Sequence, residues 1–369
     1  MDKQNIHIII SGGGTGGHVF PALSIANAIK EIKPSAKLLF VGARNRLEME
    51  KVPEAGFDIV GLPISGIQRK FSIKNLALPF KLLKSLSLSR RIIKDFKPQA
   101  VVGVGGYASG PVLRVANKKG IPTLIQEQNS YAGITNRLLA KKAEKICVAY
   151  EGMEKYFPEE KIILTGNPVR KELIPATDKK NEALDYFNLE PGKKTILAIG
   201  GSLGAGSINN SMILHLENLK RDDIQLLWQC GKNYHEKAKE ALQKHQLNNV
   251  KLQAFINRMD LAYSLADVII SRAGAGTISE LALVKKPVIL VPSPNVAEDH
   301  QTRNAQSLVS KNAAIMIKDY EAREKLWPEV LSIINDEEKR SNLSINIATI
   351  GKPDSAKIIA EEVIKLTNR

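Results

Sequence analysis

Residues 269–280 read Ile-Ile-Ser-Arg-Ala-Gly-Ala-Gly-Thr-Ile-Ser-Glu. A short apolar run gives way to Gly274 and Gly276, and a helical pattern is predicted from Thr277. Glycines leave no side chain between the backbone amides and a bound group, and a bare helix N-terminus attracts phosphate. Glu280, one turn on, is spaced to accept from two adjacent hydroxyls such as those of a ribose. The plain alternative is a tight corner followed by a solvated acid. A second constellation is Ser11-Gly-Gly-Gly-Thr-Gly-Gly-His18, after which the polar pattern turns helical. An imidazole is the usual general base near neutral pH, which makes His18 a candidate for that role; the competing reading is a helix-start residue that only positions a substrate. Glu127-Gln-Asn129 is a third. There Glu127 is the next candidate base, and Asn129 reads equally well as a ligand or as a turn residue.

These groups need elements to hold them. Residues 6–10 form a β-branched strand, and 21–32 form a helix with Ala22, Ile25, Ala26 and Ile29 on one face. Strands are predicted at 37–41, 100–104, 122–126, 145–149 and 162–165, then at 194–199, 226–229, 250–255, 267–270 and 287–291. Glycine loops follow four of them: 12–17, Gly105-Gly-Tyr-Ala-Ser-Gly-Pro111, Gly200-Gly-Ser-Leu-Gly-Ala-Gly206 and the stretch that carries Gly274. Each half of the chain therefore opens with strand, glycine loop and helix, the last predicted over 207–219 in the second half. The fold class is α/β, as two Rossmann-like doubly wound domains facing across a cleft, with ligands at the strand C-termini. The polar stretch 171–194, with Pro175 and Pro191, marks the junction. The expected domains are 1–166, 167–350, and a final helix over 351–369 that packs back on the first. Asp354 or Ser355 caps that helix, and Ile358, Ile359, Val363 and Leu366 face inward.

Composition removes several function classes. The chain has 369 residues, enough for two full cores, and 25% charged residues mark an ordinary globular protein. A net charge of +15 favours an anionic partner. Aromatic residues are only 5% and the basic cluster is mainly aliphatic, which argues against nucleic acid. Cys147 and Cys230 lie far apart, without metal spacing, and read as buried thiols. No secretory signal and no apolar run of about 18 residues occurs, so no span is expected. Gly12, Gly14 and Gly17 satisfy the dinucleotide pattern, but the second strand ends in Gly42-Ala-Arg44 without an acid for an NAD ribose. Neither a G-x-x-x-x-G-K-[ST] loop nor an Asp-x-Asp metal site is present.

Residues 70–97 are of another kind. Phe71, Ile73, Leu76, Phe80 and Leu83 alternate with Lys81, Lys84 and other bases, and no acid occurs before Asp95. Such a face suits anionic lipid headgroups; the alternative is a core helix with a solvated basic side.

Four glycine loops in two similar halves point to group transfer from a nucleotide-activated donor. With Gly13-Gly-Thr-Gly-Gly-His-Val-Phe-Pro21, Glu127-Gln-Asn129 and Gly166-Asn-Pro-Val-Arg170 added to the loops above, the chain resembles the bacterial lipid-linked N-acetylglucosaminyltransferases of peptidoglycan synthesis, the MurG type. The resemblance runs in order over nearly the full chain. It implies a GT-B, inverting, metal-independent enzyme with no cofactor. Such an enzyme moves N-acetylglucosamine from UDP-N-acetylglucosamine to the C4 hydroxyl of an undecaprenyl-pyrophosphoryl-muramoyl-pentapeptide (lipid I), at the anionic cytoplasmic face of the cell membrane.

By the same resemblance Thr15, Gly16 and Gly17 approach the diphosphate region. Gly105, Gly106, Tyr107 and Ser109 lie on the acceptor side, and Asn129 and Gln301 contact the donor sugar. Arg170 and Ser202 match nucleotide and phosphate positions, and the Ile256 backbone reads uracil. Ala275, Gly276, Thr277, Ile278, Ser279 and Glu280 hold phosphate and ribose. Two departures stand out: Gln126 where many members have histidine, and Thr302 in place of a second glutamine after Gln301. The runner-up is another GT-B transferase acting on a lipid or small aglycone, or a sugar-nucleotide epimerase.

Overall fold

The computed structural model describes residues 5–66, 78–169, 179–201, 203–296 and 299–368. The chain divides into two compact units, residues 1–169 with 352–369, and residues 170–351. In the first unit the strands are β1 (His7–Ser11), β2 (Lys37–Ala43), β3 (Asp58–Leu62), β4 (Ala100–Gly103), β5 (Thr123–Glu127), β6 (Lys145–Val148) and β7 (Ile162–Leu164). Its connecting helices are α1 (Gly16–Ile32), α2 (Glu48–Glu54), α3 (Leu78–Phe96), α4 (Ser109–Lys118) and α5 (Ile134–Ala140). All pairings are parallel, in the order β3-β2-β1-β4-β5-β6-β7.

Central parallel strands are covered on both faces, so β1 and β4 are mainly apolar. β1 shows how alternation divides the two cores. Ile8 and Ile10 enter a cluster with Ile25 and Ile29 of α1, while Ile9 enters another with Val112 and Leu113 of α4 and Ile92 of α3.

In the second unit α6 (Lys180–Phe187) precedes β8 (Lys194–Ile199), α7 (Gly206–Leu214), α8 (Leu216–Arg221) and β9 (Ile224–Gln229). Then come α9 (His235–His245), β10 (Val250–Gln253), α10 (Met259–Leu265), β11 (Val268–Ser271), α11 (Ala275–Val284) and β12 (Val288–Leu290). The unit closes with α12 (His300–Val309), β13 (Ile315–Met316), α13 (Ala322–Ile334) and α14 (Glu337–Ile350). The order β10-β9-β8-β11-β12-β13 is again parallel. Trp228 of β9 is fully buried, and its Nε1–H donates to Asn209 of α7 at 2.9 Å.

The last helix, α15 (Ser355–Leu366), belongs to the first unit and packs against α1. Ala356, Ile359, Ala360, Val363 and Leu366 are buried, a set spaced by three and four residues. Ile358, expected inward, is 38% exposed, because the inner face centres between Ile359 and Ala360 and position 358 lies about 150° round the helix from it. Asp354 is the N-cap position but makes no side-chain cap bond, and the Ser355 hydroxyl donates instead to the Lys352 carbonyl.

Several other boundaries moved. α1 begins at Gly16, five residues before the expected start, because glycines adopt helical angles freely once packing holds them. The helix expected over 207–219 breaks at His215 into α7 and α8. α6 lies inside the stretch read as polar, where it buries Ala183, Leu184 and Phe187. α2 and β3 carried no expectation at all.

Candidate functional site

In each unit the strand order reverses beside the first strand. β1 sits between β2 and β4, and β8 between β9 and β11. Helices leave in opposite directions at such a point, and open α/β sheets bind ligands there. The four glycine loops follow β1, β4, β8 and β11, so each unit holds two of them at its own switch point.

In the first unit the loops after β1 and β4 press together backbone to backbone. A Cβ on Gly106 would collide with the main chain of Gly13, and both residues have positive φ, 81° and 141°. Thr15 is the extended N-cap residue of α1, and Gly16, Gly17 and His18 make its first turn. His18 Nδ1 lies 3.4 Å from Thr15 Oγ1. The other side of the ring faces the second loop, since a Cβ on Gly105 would stand 2.9 Å from His18 Nε2. Tyr107 is half exposed, whereas Ser109 is buried and its hydroxyl donates to the Gly106 carbonyl at 2.9 Å.

Glu127, the second candidate base, lies inside the fold. It is 2% exposed and accepts from the Asn129 N–H at 3.1 Å, the Gly133 N–H at 3.0 Å and Asn136 Nδ2 at 2.9 Å. Burial pushes its carboxyl up, and these donors pull against that. The carboxylate therefore braces the loop that carries Asn129. Gln126, one of the two departures from the family pattern, is buried and donates to Asn167 Oδ1 at 2.9 Å, while Gln128 bonds to Gln126 and to the Val104 carbonyl.

In the second unit α11 starts at Ala275, two residues before the expected position, with Gly274 as an extended N-cap residue. No side chain caps it and no acid occupies its first turn. Thr277, Ile278 and Ser279 follow in that first stretch, with Ile278 buried and the Ser279 hydroxyl donating to the Ala275 carbonyl at 3.0 Å. A side chain added at Gly276 would meet open space. Glu280 accepts from the hydroxyl of Tyr263 at 3.3 Å.

The Ile256 N–H donates to Gln229 Oε1 at 2.9 Å, so within this chain that amide already has a partner. Gln301 Oε1 accepts from the Ser293 N–H at 2.8 Å and holds the loop after β12. Arg170 and Ser202 lie outside the described residues.

The sequence reading passed over two residues. Arg272 donates to the carbonyls of Val291 and Pro292 and pairs with Asp319, tying the ends of β11 and β12. Tyr263 is 1% exposed on α10 beside Glu280. Nothing local marks either residue, because their partners are distant in sequence.

Of the proposed lipid-facing residues, Phe71, Ile73 and Leu76 lie outside the described residues. Phe80 is 75% and Leu83 64% exposed, with Lys84 also exposed and Lys81 donating to Ser65 Oγ at 3.1 Å. Further along α3, Ile92 and Ile93 enter the core. The helix is thus core at its C-terminal end and exposed apolar at its N-terminal end. Among the described residues no helix is long and apolar enough to cross a membrane, and no cluster of His, Cys, Asp and Glu could hold a metal ion. Cys147 and Cys230 are free and buried.

Residues 8–148 match the glycosyltransferase family 28 N-terminal domain and residues 195–359 its C-terminal domain. The chain is 57% identical over 379 residues to a UDP-N-acetylglucosamine--N-acetylmuramyl-(pentapeptide) pyrophosphoryl-undecaprenol N-acetylglucosamine transferase of Bacteroides fragilis, covering 100% of both chains. It is 54% identical to the protein of the same name from Flavobacterium psychrophilum, with 98% of each covered. Among solved structures, MurG of Acinetobacter baumannii is 29% identical with a TM-score of 0.79, covering 98% of this chain and 99% of that one. A UDP-GlcNAc 2-epimerase from Neisseria meningitidis, 16% identical with a TM-score of 0.68 and coverage of 98% and 100%, shares the fold alone. With full-length identity at this level and both domain models matched, the chain belongs to the MurG-type N-acetylglucosaminyltransferases, glycosyltransferase family 28.

Proposed function

We propose that this protein transfers N-acetylglucosamine from UDP-N-acetylglucosamine to the C4 hydroxyl of lipid I with inversion at the anomeric carbon. The observation that carries the reading is the uncapped N-terminus of α11 at the switch point of the second unit, with Glu280 in the same helix. The α11 amides take the diphosphate, and Glu280, steadied by Tyr263, takes the ribose diol. Ile256 presents its backbone to the uracil, Arg170 and Ser202 add phosphate contacts, and Asn129 and Gln301 are assigned to the sugar.

The acceptor belongs with the first unit. The loops carrying Thr15, Gly16 and Gly17 and Gly105, Gly106, Tyr107 and Ser109 receive its polar head. With the proton of His18 on Nδ1, towards Thr15, the Nε2 lone pair is the base. The acceptor oxygen then attacks the anomeric carbon, its proton passes to Nε2, and the bond to UDP breaks. The charge gathering on the leaving diphosphate meets N–H groups already oriented towards it, which costs no reorganisation at that moment. No metal is assigned a part.

Phe80, Leu83, Lys81 and Lys84 on α3, with Phe71, Ile73 and Leu76 before it, rest on the anionic inner leaflet where the lipid-linked acceptor resides.

The test is UDP release from UDP-N-acetylglucosamine with and without a lipid I analogue. Release that requires the analogue supports the reading; release that ignores it, or none in its presence, overturns it.

A further inference from the structure

The first turn of α2 contributes a buried carboxylate that the transfer chemistry does not use. Glu48 is 2% exposed. It accepts from the Gly14 N–H at 2.8 Å through Oε2 and from the Ala43 N–H at 2.9 Å through Oε1. Its partners are therefore backbone amides of the glycine loop after β1 and of the end of β2. A Cβ on Gly42 would come within 2.5 Å of Glu48 Cγ, and one on Gly13 would strike the carboxylate itself. The side chain thus fills a slot that exists because residues 13 and 42 are glycines.

Residues 12–14 are three consecutive glycines, with φ of 141° at Gly13 and 94° at Gly14. Such a stretch has no side chains to hold its own path and a large conformational entropy to lose. In a nucleotide-binding loop the anion that gathers these amides belongs to the ligand. Here the anion belongs to the protein, and it reaches the loop two residues before the N-terminus of α1.

We propose that Glu48 is a positioning residue for the transfer. Its carboxylate stands in for a ligand anion, sets the path of the first glycine loop, and so places Thr15 and His18. The Gly14 amide is spent on this and does not meet substrate phosphate. The inference rests on the assignment of His18 to the acceptor hydroxyl.

Full-length wild type, Glu48→Gln and Gly42→Ala test it, read by steady-state transfer, UDP calorimetry, thermal unfolding and hydrogen exchange over residues 12–18. Glutamine keeps the shape but turns an NH2 donor towards one of the two N–H groups. Gly42→Ala displaces the carboxylate without altering it. A misplacement on the scale of an ångström costs about 100-fold in rate, so Glu48→Gln should lose kcat by about 10- to 100-fold, and Gly42→Ala less. UDP affinity should stay within about twofold, because the nucleotide is assigned to the other unit. Exchange over 12–18 should be faster in both variants.

Unchanged kcat in folded Glu48→Gln, whatever its Tm, overturns the proposal, as does loss of UDP binding in step with kcat, or unchanged exchange over 12–18. Absence of acceptor-dependent transfer by wild type would instead defeat the functional reading. The exchange result would then still decide whether Glu48 holds the loop.

Discussion

The glycine loops after β1 and after β11 look alike in sequence and are built to opposite ends. Both lead from a buried parallel strand into a helix with no side-chain cap and no acid in its first turn. The loop after β1 is gripped from inside: Glu48 takes the Gly14 amide, and Gly106 packs on Gly13. The loop after β11 is braced at its base, where Arg272 ties the strand ends and Asn304 Nδ2 donates to the Ala273 carbonyl, and a side chain added at Gly276 would meet open space. An anion-binding loop must leave its amides for the ligand; a loop that presents a base must spend some of them to hold the base still. α14, with no part in the site, is capped by Asp336, which accepts from the Lys339 N–H at 2.9 Å. Uncapped starts are common among the described helices, α4, α9 and α13 included, so what sets α1 and α11 apart is their place at the switch points.

If the two loops divide the labour in this way, their variants should separate cleanly. His18→Ala should lower kcat by roughly 10²–10⁴-fold while UDP affinity in calorimetry stays as in wild type. An unchanged kcat would remove His18 as the base. Glu280→Ala should do the reverse, weakening UDP by about 10-fold through loss of hydrogen bonds to a charged acceptor, with Tyr263→Phe a milder form of the same defect. The effect should be smaller against 2′-deoxy-UDP, and equal losses on both nucleotides would take Glu280 off the ribose. Phe80→Asp with Lys81→Glu addresses the surface of the first unit. Flotation with anionic vesicles should fall several-fold, and equal binding by variant and wild type would reject α3 as the contact.

Two smaller effects mark the limits of the comparison. Lys179, Arg258 and Asp260 form a clamp where the second unit begins, with Asp260 bonded to Arg258 at 2.8 and 2.9 Å and to Lys179 at 3.0 Å. Hydrogen bonds from Arg258, then Lys179, hold the Asp260 carboxyl below the usual carboxylate range against its partial burial. A depressed acid contributes stability above its unfolded value, near 3.9, and loses it as the pH falls through the folded value. Asp260→Asn should therefore lower Tm by about 2–4 °C at neutral pH, with the gap closing below about pH 4 and neither loop affected. Smallest of all, the Cys147 thiol is pushed up to about 12 by burial. It should resist iodoacetamide at pH 8 in the native protein and react only on unfolding; native labelling would contradict its burial.

Much of this was legible in the residues themselves. Alternation and β-branching in 6–10 and 194–199 announced buried strands, and glycines after them announced the loops. Where the reading slipped, competition among local signals explains it. The start of α1 was hidden by Gly16 and Gly17, which weaken a helix until packing holds them. α6 was hidden between Pro175 and Pro191. Ile358 was misplaced because the buried stripe of α15 centres on Ile359 and Ala360, which turns position 358 outward.

Glu127 shows the harder limit. An acid followed by two amides at a strand end reads as a candidate base, and no local signal shows that Gly133 and Asn136 return to bond its carboxylate. The family, the α/β class, the four loops and the nomination of His18 and Glu280 as candidates came from residue type and order, since propensity and spacing are local. Strand order, and with it the gathering of those loops at two switch points, was decided by tertiary structure alone. So was the capture of Gly14 by Glu48 and of Glu280 by Tyr263. Those contacts depend on which strand lies beside which, and no window along the chain contains that information.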